Sequence, residues 1–240
     1  MYIILLISIF FATRNRYTSI RMRRYFCYTS IYMIITFHTK QFFKIQYGDR
    51  VIACNPPTLS TGSKVSRFGA DIVLSSNMHP DMNGYDTVMY GDKIPFVISG
   101  PGDYEVGDVY VQGLACATRP GESQNTVYYL TMDNMNICFL GSVGSKDSIT
   151  NEIREKINHV DILFVPVGNF SDIDPAKAHA LAVSFNPSVI IPMGYDTTRD
   201  KNLVTFLKEA GAEDVTGIEK FTVKSKDISE LEGKVVVLTA

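Results

Sequence analysis

Two side chains have the type and spacing to do chemistry. His79 and Asp81 lie in the stretch Asn77-Met78-His79-Pro80-Asp81-Met82-Asn83. Their spacing lets an imidazole and a carboxylate point into one loop cavity, where they could hold a metal ion or act as an acid/base pair. Asp81 is the candidate catalytic group, and His79 with Asp81 are the candidate metal ligands. A catalytic zinc needs about three nitrogen, sulfur or carboxylate ligands and an open position for water, so one imidazole and one carboxylate fall short. The competing structural reading has Asp81 hydrogen-bonding the backbone of Asn83 or Gly84 in an Asx-type turn, with His79 filling a polar pocket. His159 and His179 read as surface residues, the first just ahead of a strand and the second beside the apolar stripe of a helix. Cys27, Cys54, Cys116 and Cys138 are far apart, without the close pairing of zinc ribbons or redox motifs, and read as buried reduced thiols of a cytoplasmic protein.

The elements that must position this loop alternate short apolar runs with glycine, proline, asparagine and aspartate, which is the pattern of strands and turns. Ile34 to Gln46, Arg50 to Cys54, Asp71 to Ser75 and Pro95 to Ser99 are predicted strands. Asp108 to Cys116, Asn125 to Met132 and Asn136 to Leu140 follow, the last two joined as a hairpin by Asp133-Asn134. Gly100 to Gly102 is a structural turn between strands, or a set of backbone N–H groups for an anion. Helices then enter: Ser148 to Ile157, Asp174 to Phe185 with Asp174 as N-cap and Pro175 in the first turn, and Asn202 to Ala210. Strands at Asp161 to Val165, Ser188 to Pro192, Phe221 to Val223 and Val235 to Leu238 alternate with them. Strands first, then strands alternating with helices, predict an α/β fold of two stacked mixed sheets with helices outside.

Several segments carry a family resemblance in sequence order. They are Ala70 to Asn83, Gly100-Pro101-Gly102-Asp103-Tyr104-Glu105-Val106, Asn125-Thr126-Val127-Tyr128, Phe139-Leu140-Gly141-Ser142, Asp161 to Gly168 and Ile191-Pro192-Met193-Gly194-Tyr195. Together they resemble the metallo-β-lactamase superfamily, in particular its L-ascorbate-6-phosphate lactonase-like branch of zinc-dependent hydrolases, over roughly Ile34 to Leu238. The resemblance implies the αββα sandwich of that superfamily and a metal centre fed by several loops. It also implies that the centre is eroded. Asn77 and Met82 stand where the family's loop has histidines, Ser142 where a bridging aspartate sits, Gly194 where another histidine sits, and Asn55 replaces an aspartate of an early turn. No histidine precedes the Asn125 strand, where the chain reads Ala117 to Glu122; His38 corresponds loosely to a histidine near the family's start. An amide oxygen is a weak donor, a thioether prefers soft metals, and Gly194 offers no side chain. Without the bridging carboxylate, activation of a metal-bound water is compromised.

The expected cofactor is therefore none, or weakly bound zinc. The expected function is a non-catalytic or strongly altered member, a pseudoenzyme that binds a small molecule or a protein partner in the old cleft. The alternative is an active metal-dependent hydrolase with an altered or single-metal site using His79 and Asp81. Arg119 and Glu122 belong to a loop that should border the cleft, as solvated residues or as ligand contacts. Of the 23 basic residues, five are arginines within the first 32 positions, leaving 18 against 25 acids, so the body has no footprint for a nucleic acid. The 240 residues suffice for one domain, drawn at 33–240. Residues 1–32 form an amino-terminal extension whose apolar run, Tyr2 to Ala12, is shorter than the ~20 residues of a spanning helix. It reads as a non-native start upstream of Met33 or as a short membrane anchor, the one route to a membrane-associated protein; otherwise the expected location is cytoplasmic.

Overall fold

The computed structural model describes residues 32–240, apart from Lys64, Ser66, 119–123 and 169–170. The amino-terminal extension up to residue 31, with its anchor and late-start readings, and the loop pair Arg119 and Glu122 lie outside the described residues. Among those described, no helix is long and apolar enough to cross a membrane.

Among the described residues, thirteen strands form two mixed sheets. The first has the order β12 (Lys220–Val223), β1 (Met33–Thr39), β2 (Phe42–Tyr47), β3 (Arg50–Cys54), β4 (Ile72–Leu74), β5 (Phe96–Ile98). The second runs β13 (Lys234–Val235), β11 (Val189–Met193), β10 (Ile162–Pro166), β9 (Met135–Phe139), β8 (Gln124–Met132), β7 (Val109–Ala117), β6 (Gly102–Val106). In each sheet an antiparallel set gives way to a parallel one, at β3–β4 and at β9–β10. Alternating side chains explain the stacking. Phe43, Ile52, Cys54, Ile72 and Leu74 face the interior shared with the second sheet, where Phe43 meets Phe164 edge-on at 4.9 Å. Their neighbours Phe42, Ala53 and Val73 point the other way, under a cover of Val65, Phe68 and the 3₁₀ turn Tyr85–Val88. β10 and β11 are buried along their whole length, as parallel strands covered on both faces must be. Helix α2 (Pro175–Val183) packs on β10 and on α3 (Lys201–Glu209), with Asp174 and Asp200 as N-caps; the short α1 (Asn151–Lys156) precedes them.

The two-sheet sandwich agrees with the sequence reading, and two elements correct it. The run Ile34 to Gln46 is not one strand but the hairpin β1–β2, turned at Lys40, whose φ of 53° lies in the left-handed region. Polar Thr39-Lys40-Gln41 marks the break, yet none of the usual turn formers is present. Gly102–Val106 is likewise a strand, and Gly100 abuts β7 so closely that a Cβ on Gly113 would come within 2.7 Å of its carbonyl oxygen. Here the segment is a structural turn. Asp133 and Asn134, both at positive φ, make the expected hairpin turn. Cys54, Cys116 and Cys138 are free and buried; burial raises all three thiols, that of Cys116 to about 11.

His38 sits on the outer face of the first sheet, stacked on Phe42 at 4.6 Å and Phe68 at 5.5 Å, with Nε2 buried and without a hydrogen-bond partner. Burial, reinforced by the charge of Lys44, lowers its pKa to about 4. A histidine that protonates less readily when folded than when unfolded stabilises the fold fully above the unfolded pKa of 6.5 and progressively less as pH falls toward 4. With the ring partly open to solvent, a loss of about 1–2 kcal/mol between pH 7 and pH 4 is expected. Urea unfolding at the two pH values checks this, and His38→Phe should remove that part of the dependence.

Candidate cleft at the carboxyl ends of the strands

The candidate residues gather where the parallel strands end. β4 runs into the loop 75–84, whose ends are drawn together by the Ser75 hydroxyl, near the carbonyls of Asn77 and Met82. Within the loop, the Asn77 side-chain oxygen accepts from the His79 N–H at 2.9 Å, an Asx turn, and His79 Nδ1 accepts from the Asp81 N–H at 3.2 Å. The expected Asx turn thus belongs to Asn77, not to Asp81. Asp81 instead receives the ammonium of Lys40, with Nζ to Oδ1 at 2.7 Å, and its other oxygen is 3.6 Å from His79 Nδ1. The carboxylate is 11% exposed and the lysine side chain 25%. His79 is half exposed, at the cleft rather than in a closed pocket.

Met82 is almost fully buried, and its sulfur accepts from the hydroxyls of Ser76 at 3.6 Å and Ser142 at 3.5 Å. Ser142 lies just past β9, where Gly141, at φ 63°, turns the chain, and its Oγ accepts from the Asn77 amide at 3.3 Å. Asn125, at the start of β8, holds that turn from beneath: its Oδ1 accepts from Ser142 N–H at 2.8 Å and its Nδ2 donates to the Leu140 carbonyl at 2.9 Å. Asn55, buried at the end of β3, accepts from the Ser76 N–H and donates to Ser76 Oγ and Gln41 Oε1. Gly194, past β11 at φ 88°, donates its N–H to the Lys40 carbonyl at 2.7 Å. The tip of the β1–β2 hairpin is therefore pinned at Gly194 by its backbone while its side chain reaches Asp81.

The two candidate ligands and the eroded positions thus belong to one neighbourhood: Ser142 contacts both Asn77 and Met82, His79 and Asp81 share the loop, and Gly194 is linked through Lys40. His159, beside Asp161 at 3.1 Å, and His179, against Phe206, lie elsewhere. Sequence reasoning missed Lys40, Gln41 and Asn125. Its one available signal for the first two was the polar triplet inside an apolar run. Above these residues opens a cavity of about 730 Å³ lined by Asn77, His79, Met82, Thr118, Ser142 and Asp172, among others. Thr118 and Gln124 also belong to its wall.

This donor set does not fit the zinc centre that the fold implies. Among the described residues, no group of three or more histidine, cysteine, aspartate or glutamate side chains could hold a metal ion. The surviving carboxylate already contacts an ammonium, the thioether is engaged by two hydroxyls, and the imidazole spends Nδ1 on a backbone amide.

Two stacked mixed sheets with a cleft at their strand ends, walled by the loops after β4 and β9, define a protein of metallo-β-lactamase architecture. The chain belongs to the β-lactamase superfamily domain family, whose pattern it matches over residues 34–194. It is similar to a candidate Zn-dependent hydrolase of the metallo-β-lactamase superfamily from Thermotoga maritima, with a TM-score of 0.68 and 28% identity over 86% of this chain and 98% of that one. It shares the fold of a metallo hydrolase from Ignicoccus hospitalis, with a TM-score of 0.58 and 16% identity over 80% of this chain and 99% of that one. A UPF0173 protein of Pyrococcus furiosus is 28% identical over 131 residues, 55% of this chain and 57% of the relative, so the match spans just over half of that protein's length.

Proposed function

We propose that this protein keeps the metallo-β-lactamase cleft as a metal-free binding site for a small polar molecule. The observation that carries the reading is the internal pairing of the side chains at the eroded positions: Asn55 with Ser76 and Gln41, Met82 with Ser76 and Ser142, and Asn77 with Ser142. Buried polar groups paired in this way need no ion to complete them; Gln41 Nε2 alone in this set is buried without a hydrogen-bond partner, and as an N–H donor it offers nothing to a cation. The lining favours an uncharged, hydroxyl-rich ligand. It offers hydroxyls and amides from Asn77, Thr118, Gln124, Ser142 and Ser171, one carboxylate from Asp172, and no arginine or lysine among the described residues. Amides and hydroxyls that donate and accept side by side match vicinal hydroxyls, whereas an anion would find no lysine or arginine among the described residues of this wall.

Thermal unfolding tests the reading with named additives. Zinc, manganese and EDTA are expected to leave the midpoint unchanged, free sugars and polyols to raise it by linkage, and phosphate and sulfate to leave it alone. A midpoint that climbs with the logarithm of zinc concentration, and loses that response in Asp81→Ala, would overturn the reading in favour of a single-metal hydrolase using His79 and Asp81.

A further inference from the structure

Lys40 has a role that neither the fold nor the family resemblance assigns. We infer that its ammonium serves as the built-in cation of this site, standing at the carboxylate of Asp81 in place of a metal ion and closing the cleft to divalent cations. The inference rests on the metal-free reading above.

Three independent observations place that charge. The first is the contact itself, 2.7 Å from Nζ to Oδ1, made by a carboxylate only 11% exposed. Removing one partner of so buried a pair leaves the other unfavourably placed away from water. The second is how Lys40 is held. The turn places it at φ 53°, a conformation non-glycine residues adopt at a cost, and the Gly194 N–H clamps its carbonyl at 2.7 Å. Both fix the root of the side chain at the strand end from which Gly194 would have presented a histidine. The third is the neutrality of the eroded positions: Asn55, Asn77, Met82 and Ser142 add no charge, so beside Asp81 the ammonium meets the one carboxylate of its loop, with Asp172 in the cavity wall as the other acid among the described residues of the cleft. A divalent ion approaching Asp81 would have to displace a covalently tethered cation that pays no translational entropy to be there.

The prediction is chemical rescue. Lys40→Ala in the full chain should unfold several degrees below the wild type. n-Propylammonium, which matches the three carbons and the ammonium removed, should restore much of the loss in a concentration-dependent way, while 1-propanol and sodium at equal concentration should not. Zinc or manganese should also stabilise Lys40→Ala. Lys40→Ala with Asp81→Asn should answer to none of them, because the carboxylate is gone. Should Lys40→Ala fail to fold, Lys40→Met keeps the aliphatic stem, and its gain of a zinc or manganese response is the expected result. A Lys40→Ala protein as stable as wild type, a rescue that survives Asp81→Asn, or a folded lysine variant indifferent to both amine and divalent ion would overturn the inference. These outcomes are distinct from failure of the metal-free reading, which shows as a zinc response of the wild type itself.

Discussion

Gly141→Ala is expected to destabilise the protein by about 3–5 kcal/mol, among the largest effects of any single methyl group in this domain. Two costs combine. The residue has φ 63°, where an alanine carries a backbone penalty of roughly 1–2 kcal/mol. The added Cβ would also lie 2.4 Å from Asn125 Oδ1 and 2.7 Å from Ser76 Cβ, and both neighbours are buried and committed to hydrogen bonds of the cleft floor. Neither can yield without breaking a bond to Ser142 or Asn55. Urea denaturation measures the change; a loss below about 1 kcal/mol would mean that the turn after β9 relaxes freely. Gly211→Ala is the control, since it has a similar φ of 60° but open space around its Cβ, so only the backbone penalty should appear.

Asn125→Ala should cost about 2–4 kcal/mol. Asn125 is 1% exposed, and its side chain satisfies two backbone groups, the Ser142 N–H and the Leu140 carbonyl. Stranding each in a dry environment costs roughly 1–3 kcal/mol. Asn125→Asp retains the acceptor for Ser142 and loses the donor to Leu140, so its effect separates the two bonds, with the ionised carboxylate adding its own burial cost. Because Ser142 is the group that meets Met82 and Asn77, the alanine variant should also loosen the cleft, seen as faster hydrogen exchange at Ser142 than in the wild type. Equal exchange in the two proteins would show that the loop after β9 is held by something other than Asn125.

The contrast between what the sequence reveals and what it hides follows from the range of the forces involved. Local signals were legible: Asp174-Pro175 starts α2, Asp133-Asn134 turns β8 into β9, and continuous apolar runs mark the buried parallel strands β10 and β11. The segments Ala70 to Asn83, Phe139 to Ser142 and Ile191 to Tyr195 each run past the end of a strand, β4, β9 and β11, and these ends lie on one side of the sandwich. Lys40 escaped notice because its turn contains no glycine, proline or asparagine, and the left-handed conformation is imposed by the Gly194 clamp from a strand about 150 residues away, a distance read directly from the numbering. For the same reason Asp81 was expected to bond its own loop: its true partner lies 41 positions upstream and becomes adjacent only when β1 and β2 fold back on each other. Asn125, flanking a strand, carried no sequence sign that it would serve the turn after the next strand.

On the proposed reading this site, in which paired neutral groups replace the family's ligands and Lys40 pairs with Asp81, holds no metal. The loss of ligands alone would make zinc binding weak; the ammonium at Asp81 makes it electrostatically opposed as well. The most direct test is metal content. Full-length protein purified in zinc-containing buffer and then desalted should carry well under one zinc per chain by elemental analysis, with no recovery after reloading at neutral pH. One or two zinc ions retained per chain would contradict the account and restore His79 and Asp81 as metal ligands.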